Sequence, residues 1–261
     1  MRGHIASLTL LAFASAALIS CDYPRPASLG GGDDANTTGD DGGVTDGQPN
    51  DAAVTDGTPT DAAGSVSVVM TPPSASTTLG TSTRFNVKVT SNGFAGTVNL
   101  AASGGPSDWT KTLPSSVTLT LGQVQNINFD VNVASNGSAA TGGAALTVNA
   151  TISGMSPVAD SSTLTVANEY ILPIANGVGT GNHWGALTNL TLRNGSTFTI
   201  RNDDSVDHQI HAQATIAGLV HQPASMSMGQ SYSVVLNSTG TEVIYCHVHG
   251  TGSGQLTITS Q

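Results

Sequence analysis

Positive charge is scarce in this 261-residue chain. Seven Lys and Arg stand against 17 Asp and Glu, and the formal net charge is −10. Residues 22–63 contain nine Asp and one Arg and so carry −8 of that charge, which leaves the rest only modestly negative. Nucleic-acid binding depends on a basic surface, so this composition argues against a nucleic-acid partner. Cysteine is also scarce, since the chain has only Cys21 and Cys246.

Long hydrophobic runs are missing as well. The uncharged stretch from Ile5 to Ile19 is too short to span a membrane comfortably, but it suits the core of a signal peptide at residues 1–20. It ends at Leu18-Ile19-Ser20-Cys21, which resembles the lipobox of bacterial lipoproteins; the alternative is an ordinary signal peptide that happens to contain a cysteine. The resemblance implies an exported protein held by a lipid on Cys21 at the periplasmic or outer side of a bacterial membrane.

Residues 21–63 are poor in apolar side chains and rich in Asp, Gly, Thr and Pro. Such a segment buries too little apolar surface to offset the entropy of ordering, so we expect a disordered linker. It contains the tandem repeat "VTDGQPNDAA" and "VTDGTPTDAA". A tether between lipid and folded domains is favoured over a cation-collecting tail, because isolated carboxylates on a flexible chain bind cations poorly.

Residues 64–168 alternate polar and apolar residues over seven short runs separated by Gly, Pro, Asn and Ser. This pattern predicts an antiparallel β-sandwich. The stretches "GFAGTVNLAASG" and "LPSSVTLTLGQ" resemble the immunoglobulin-like modules of bacterial surface proteins. The region contains no His or Cys and no paired acids, so we expect a spacer or protein-contact module, with adhesion as an alternative.

Residues 169–261 contain Cys246 and six of the seven histidines. If Cys21 carries lipid, Cys246 has no internal disulfide partner, and it is then a reactive thiol, an intermolecular bridge or a metal ligand. The neighbouring histidines favour a metal ligand. A thiolate with imidazoles suits copper or zinc and is poor for calcium or magnesium.

In this region the sequence predicts two strands joined by a turn at Asn194-Gly195. It predicts three later strands in "GQSYSVVL", "EVIYCHVHG" and "GQLTITS". Together with the ordered motifs Asn202, Asp204, His208 and Tyr245, Cys246, His249, the region resembles the cupredoxins, the plastocyanin and amicyanin family. The resemblance implies a Greek-key β-sandwich with one copper ion bound by His208, Cys246 and His249. It also implies that Asn202 ties the two ligand loops together without touching the metal.

Strand geometry agrees with this assignment. Successive side chains of a strand point to opposite faces, so Cys246 and His247 should diverge. His249 lies beyond the strand, where a turn at Gly250 can return it beside Cys246. A distant loop then supplies His208, which gives the thiolate and two imidazoles of a blue-copper centre.

The sequence departs from the family where cupredoxins usually place a weak axial Met. Gly252 takes that position in a short-loop register and Gly254 in a longer one, and neither side chain can bind metal. Gln255 is a further candidate, although its register is wrong by one residue. Met226 and Met228 lie in another segment and are interpreted as packing residues.

Four other histidines are candidates for additional metal binding: His183, His211, His221 and His247. A single loop histidine is usually solvated or hydrogen-bonded. Together these side chains could form a second, exposed copper or zinc site.

The sequence therefore predicts an all-β chain of two consecutive sandwiches after a disordered linker. Its function is predicted to be electron transfer at one copper ion, with zinc a less suitable substitute and with unknown redox partners. No nucleophile–base–acid set and no second copper of the multicopper-oxidase kind is evident, so an enzyme is not expected. Two alternatives stay open: a lipoprotein that handles copper or zinc without redox turnover, and an adhesive surface protein with a degenerate cupredoxin fold.

Overall fold

The computed structural model describes residues 64–261. The predicted signal peptide, Cys21 and the linker lie outside the described residues. The described part is built from β-strands with one short 3₁₀ turn, which confirms the all-β prediction. None of its helical segments is long and apolar enough to cross a membrane.

Eight strands and the start of a ninth form the first sandwich: β1 (Ser65–Thr71), β2 (Ser74–Leu79), β3 (Ser82–Asn92), β4 (Gly96–Gly104), β5 (Thr110–Thr112), β6 (Ser116–Leu119), β7 (Val124–Asn132), β8 (Ala140–Thr151) and β9 (Val158–Ile174). The second sandwich adds β10 (Asn189–Leu192), β11 (Thr197–Asn202), β12 (Ile210–His211), β13 (Ser231–Val235), β14 (Gly240–Cys246), the 3₁₀ turn Thr251–Ser253 and β15 (Leu256–Ser260).

The first sandwich packs the sheet β1-β3-β7-β5 on a sheet in which β9 is followed by β8, β4 and β6, with β2 also paired to β9. Every second residue of β1 is buried, as expected for a strand with one face on a core. Phe85 and Phe129, directly opposite each other on β3 and β7, are fully buried at the centre. The alternation of polar and apolar residues in the sequence therefore explains why these strands form sheets with one buried face.

The second sandwich packs the sheet β10-β15-β14-β12 on strands β13, β11 and the end of β9. Its separate core includes Phe198, Ile200, Ile244 and Ile258, all fully buried. β14 and β15 are adjacent antiparallel strands, and the short loop between Cys246 and Leu256 leaves the sheet at one end. The candidate site lies at that end of the second sandwich.

One strand, β9, serves both sandwiches. Its first part pairs with β8 and β2, and from Glu169 onward it pairs in parallel with β11. Tyr170 packs against both cores. The predicted division between residues 168 and 169 thus falls inside one continuous strand, at the point where its partner changes to β11.

The turn at Asn194-Gly195 joins two strands, as the sequence predicted, but these strands belong to different sheets. β10 pairs with β15, whereas β11 pairs with β13 and β9. The amide of Asn194 donates to Gln261 O (2.8 Å) and that of Gly195 to Leu236 O (2.7 Å), so the turn bonds to two neighbouring chain segments and carries the chain from one sheet to the other.

Candidate metal centre

Four side chains converge at the end of the second sandwich: His183, His208, Cys246 and His249. One ligand atom from each lies within 4.8 Å of the other three. The Cys246 thiol Sγ is 3.4 Å from His249 Nδ1 and 3.7 Å from His208 Nδ1, and His249 Nδ1 is 3.2 Å from His183 Nε2. Three of the four residues are buried and His249 is half-buried.

Strand alternation directs Cys246 into this cluster. It is the last residue of β14, and it is fully buried beside Ile244, while Val243 and His247 are exposed. Across the strand pair, Ile210 of β12 lies opposite Cys246 and is also fully buried. Cys246 and His247 therefore diverge to opposite faces in the structure.

The segment that carries His183 is fastened to the loop after Cys246. The His183 backbone amide donates to Ser253 O at 3.0 Å, and the ring nitrogen Nδ1 of His183 lies 2.9 Å from the same oxygen. The indole nitrogen of Trp184 donates to Gly254 O at 3.2 Å. These contacts bring together residues about 70 positions apart in the chain.

The ring of His183 faces the cluster with an available lone pair. A carbonyl oxygen only accepts hydrogen bonds, so the proton of a neutral His183 ring lies on Nδ1, toward Ser253 O. Its Nε2 is then unprotonated and faces His249. A hydrogen bond of this kind on the far nitrogen fixes the tautomer of metal-binding histidines in general.

His208 is oriented by Asp204 in the same way. His208 Nε2 lies 3.3 Å from Asp204 Oδ2, and both side chains are fully buried. The Asp204 carboxylate accepts a hydrogen bond from the N–H at Nε2, which leaves Nδ1 unprotonated on the side of Cys246. Burial lowers the pKa of His208, an effect strengthened by His183 and partly opposed by Asp204.

The carboxylate of Asp204 is satisfied by backbone donors. Gly177 N donates to Oδ1 at 2.9 Å, and Gly179 N donates to Oδ2 at 2.8 Å. Burial alone would raise the pKa of Asp204, but the amides of Gly177, Ser205 and Gly179, together with the His208 ring, lower it to about 2. Asp204 thus remains ionised beside His208 over the physiological pH range.

The side chain of Asn202 stabilises the loop that carries His208. Its Nδ2 donates to Val206 O and Met226 O, both at 2.8 Å, and its Oδ1 accepts from Asp204 N at 2.8 Å. The family resemblance implied that Asn202 ties together the two ligand loops. Its hydrogen bonds instead connect the His208 loop with the segment around Met226, which also pairs with His208 through the backbone.

The spacing of the donors fits one ion. Ligands about 2.0–2.3 Å from a shared ion in a tetrahedral arrangement lie roughly 3.3–3.8 Å from one another. Three donor–donor separations in the cluster, 3.2, 3.4 and 3.7 Å, fall close to that range. Burial also lowers the pKa of His249, with His183 adding to the effect, and this favours the neutral imidazole that binds metal.

The three candidates for the missing axial position contribute no donor side chain to the cluster. Gly252 is exposed, and a β-carbon there would meet no atom within 4 Å. Gly254 has a φ of 92°, and a β-carbon there would clash with Asn182. Gln255 is exposed and lines a surface pocket with Val243 and Tyr245, on the face of β14 opposite Cys246.

The structure divides the four additional histidines into two groups. His183 joins Cys246, whereas His211, His221 and His247 form a second group on the outer face, with ligand atoms within 4.8 Å of one another. The sequence did not show that His183 belongs to the first group. Its surroundings, "GNHWG", gave only a turn signal, because Asn and Gly are frequent in turns.

Neither a protein-family model nor a curated protein matches this chain. The solved structures that resemble it over about a third of its length include cupredoxins. One is a purple cupredoxin from Nitrosopumilus maritimus, with 26% identity, covering 35% of this chain and 98% of that protein at a TM-score of 0.29. Others are an oxidised amicyanin variant, with 20% identity, 36% and 83% coverage and a TM-score of 0.30, and a copper(I) amicyanin variant, with 20% identity, 36% and 82% coverage and a TM-score of 0.29.

Proposed function

We propose that this protein binds one copper ion through Cys246, His208 and His249 and transfers electrons. The observation that carries the proposal is the convergence of the Cys246 thiol with the Nδ1 atoms of both histidines at 3.4 and 3.7 Å, in a buried part of the second sandwich. A thiolate with two imidazoles is the donor set of blue-copper electron-transfer sites. Bound copper would supply one-electron chemistry between Cu(I) and Cu(II).

His183 is proposed as the fourth donor, in place of the methionine that is missing from the usual axial position after His249. Its Nε2 faces His249, and its Nδ1 is occupied by Ser253 O. The axial ligand tunes the reduction potential of such sites. Because an imidazole is a stronger donor to Cu(II) than a thioether, we expect the His183→Met variant to have a higher reduction potential than the unchanged protein.

The chain's own residues prepare the site for rapid electron exchange. Asp204 holds His208, and Ser253 O holds His183, so both rings have a fixed orientation before a metal binds. His208 and Cys246 are fully buried and exclude water, and half-buried His249 lies nearest to solvent among the three proposed main ligands. Fixed and largely buried ligands change little between oxidation states, which suits an electron carrier better than an enzyme.

Copper titration of the purified protein tests this proposal. We expect a thiolate-to-copper absorption band that saturates at one equivalent and disappears reversibly on reduction. The Cys246→Ser variant should lack this band. If the variant kept both the band and the copper affinity of the unchanged protein, the ligand assignment would be refuted. Binding of zinc with no reversible electron exchange at bound copper would support metal handling instead, and failure to bind either metal would support an adhesive role.

The proposed location rests on the sequence alone. The lipobox-like ending at Cys21 supports a lipid anchor on the periplasmic or outer face of a bacterial membrane. The tether would hold the copper domain away from the lipid while it meets soluble or membrane-bound redox partners. The low positive charge of the chain supports the expectation that nucleic acid is not among them.

A further inference from the structure

The second sandwich presents three histidines on its outer face. His211, His221 and His247 each offer a ring nitrogen, and these nitrogens lie within 4.8 Å of one another. His247 is exposed, and the other two are half-buried. The group lies on the other side of β14 from Cys246, so it is separate from the proposed copper centre.

The ring centres are spaced as they are around a shared ion. The ring centres lie 5.0 Å apart for His211 and His221, 5.4 Å for His211 and His247, and 4.8 Å for His221 and His247. Three imidazoles that bind one ion at about 2.0–2.1 Å have ring centres roughly 5 Å apart. The three interplanar angles, 86°, 79° and 86°, exclude simple stacking among these rings.

A hydrogen bond between two rings does not account for the whole group. His221 Nε2 and His247 Nδ1 are 2.6 Å apart, a distance that one shared proton can explain. His211 Nδ1, however, is buried and has no hydrogen-bond partner among residues 64–261. A buried polar atom without a partner is costly, and a bound ion is one way in which proteins satisfy it.

The three histidines lie on segments that are fixed by hydrogen bonds and by one ring stack. His211 pairs with Tyr245 across β12 and β14, and the two rings stack with centres 4.5 Å apart. The His247 amide donates to Gln209 O at 2.6 Å. Gln222, which follows His221, is held against β12 by two hydrogen bonds to Ile210. The backbone amide of Ile210 donates to Gln222 Oε1 at 3.0 Å, and the backbone amide of Gln222 donates to Ile210 O at 2.9 Å.

We propose that His211, His221 and His247 form a second metal site that binds Cu(II). Imidazole nitrogens suit copper, nickel and zinc, and among divalent ions copper binds such donors most tightly. Three protein ligands at a solvent-facing position leave at least one coordination position for water or a small exogenous ligand. The site does not depend on the Cys246 centre.

Copper loading of the intact protein, followed by removal of weakly bound metal, tests this proposal. We expect two Cu(II) per chain, the second without a thiolate charge-transfer band and with an electron paramagnetic resonance signal that azide shifts. His221→Gln should reduce the copper content to one per chain and leave the Cys246 band intact. His211→Phe should do the same, since it keeps an aromatic ring against Tyr245 but removes both ring nitrogens.

The Cys246→Ser variant separates this site from the proposed copper centre. It should still bind one Cu(II), and the affinity of that ion should fall at least tenfold when His221→Gln is added. A single copper per chain in the unchanged protein, with a charge-transfer band and no dependence on His221, would overturn the second site while leaving the first proposal standing. Two coppers retained in both His221→Gln and His211→Phe would also overturn it.

Discussion

Replacing Asn202 with alanine would remove the side chain that organises the His208 loop. Asn202 is fully buried and makes three hydrogen bonds, to Val206 O, Met226 O and Asp204 N. The hydrogen bond to Val206 O is only partly buried, so its loss costs less than the loss of a fully buried one. Met226 O also accepts from His208 N at 3.0 Å and so keeps one partner.

The main energetic cost falls on Asp204. Its amide donates to Asn202 Oδ1 and is buried, so Asn202→Ala leaves it without a partner. An unsatisfied buried donor costs about 1–3 kcal/mol, and the lost bond to Met226 adds about 1 kcal/mol, which gives a total of about 3 kcal/mol. This is a large part of the roughly 5–15 kcal/mol that stabilises a typical domain.

Urea denaturation of the metal-free protein measures that loss, and Asn126→Ala is the matched control. Asn126 is exposed on β7 and lies in the other sandwich, so its replacement should change the free energy of unfolding by less than about 0.5 kcal/mol. In the copper-loaded protein, Asn202→Ala should also alter the charge-transfer band, because His208 loses its fixed orientation. A loss no larger than that of the control, with an unchanged spectrum, would refute the role given to Asn202.

Three further outcomes are expected. Residues 169–261 should fold alone and bind copper, because Glu169 is the first residue of β9 paired with β11; a fragment without dispersed amide resonances would show that the first sandwich is required. Burial, partly opposed by a hydrogen bond with Val220, raises the pKa of Tyr232 to about 12. The protonated phenol therefore contributes stability that is complete below about pH 10 and is lost as the pH rises through about 12; alkaline denaturation monitored by tyrosinate absorbance should show this loss, and Tyr232→Phe should reduce it. Cys21→Ser should release the protein from membranes with the copper spectrum unchanged, whereas a variant that stayed firmly bound would indicate an uncleaved signal anchor.

The sequence alone determined features that depend on neighbouring residues. Period-two alternation predicted the long strands, such as β1, β3 and β7, because a strand with one buried face must alternate. It did not predict β2 or β5, since "SASTTL" and "TKT" lack strong apolar alternation and pair at sheet margins. The proximity of Cys246 and His249 was likewise predictable, because the two residues are only three positions apart and one tight turn brings them together.

Tertiary structure decided which distant segments meet. His183 is 66 residues from His249, and only the packing of its segment against Ser253 and Gly254 brings it to Cys246. The sequence grouped it instead with His211, His221 and His247. Periodicity states which face a side chain occupies but not which segment lies opposite that face. The division of the histidines into two clusters, and the continuity of β9 through both sandwiches, therefore followed only from sheet pairing.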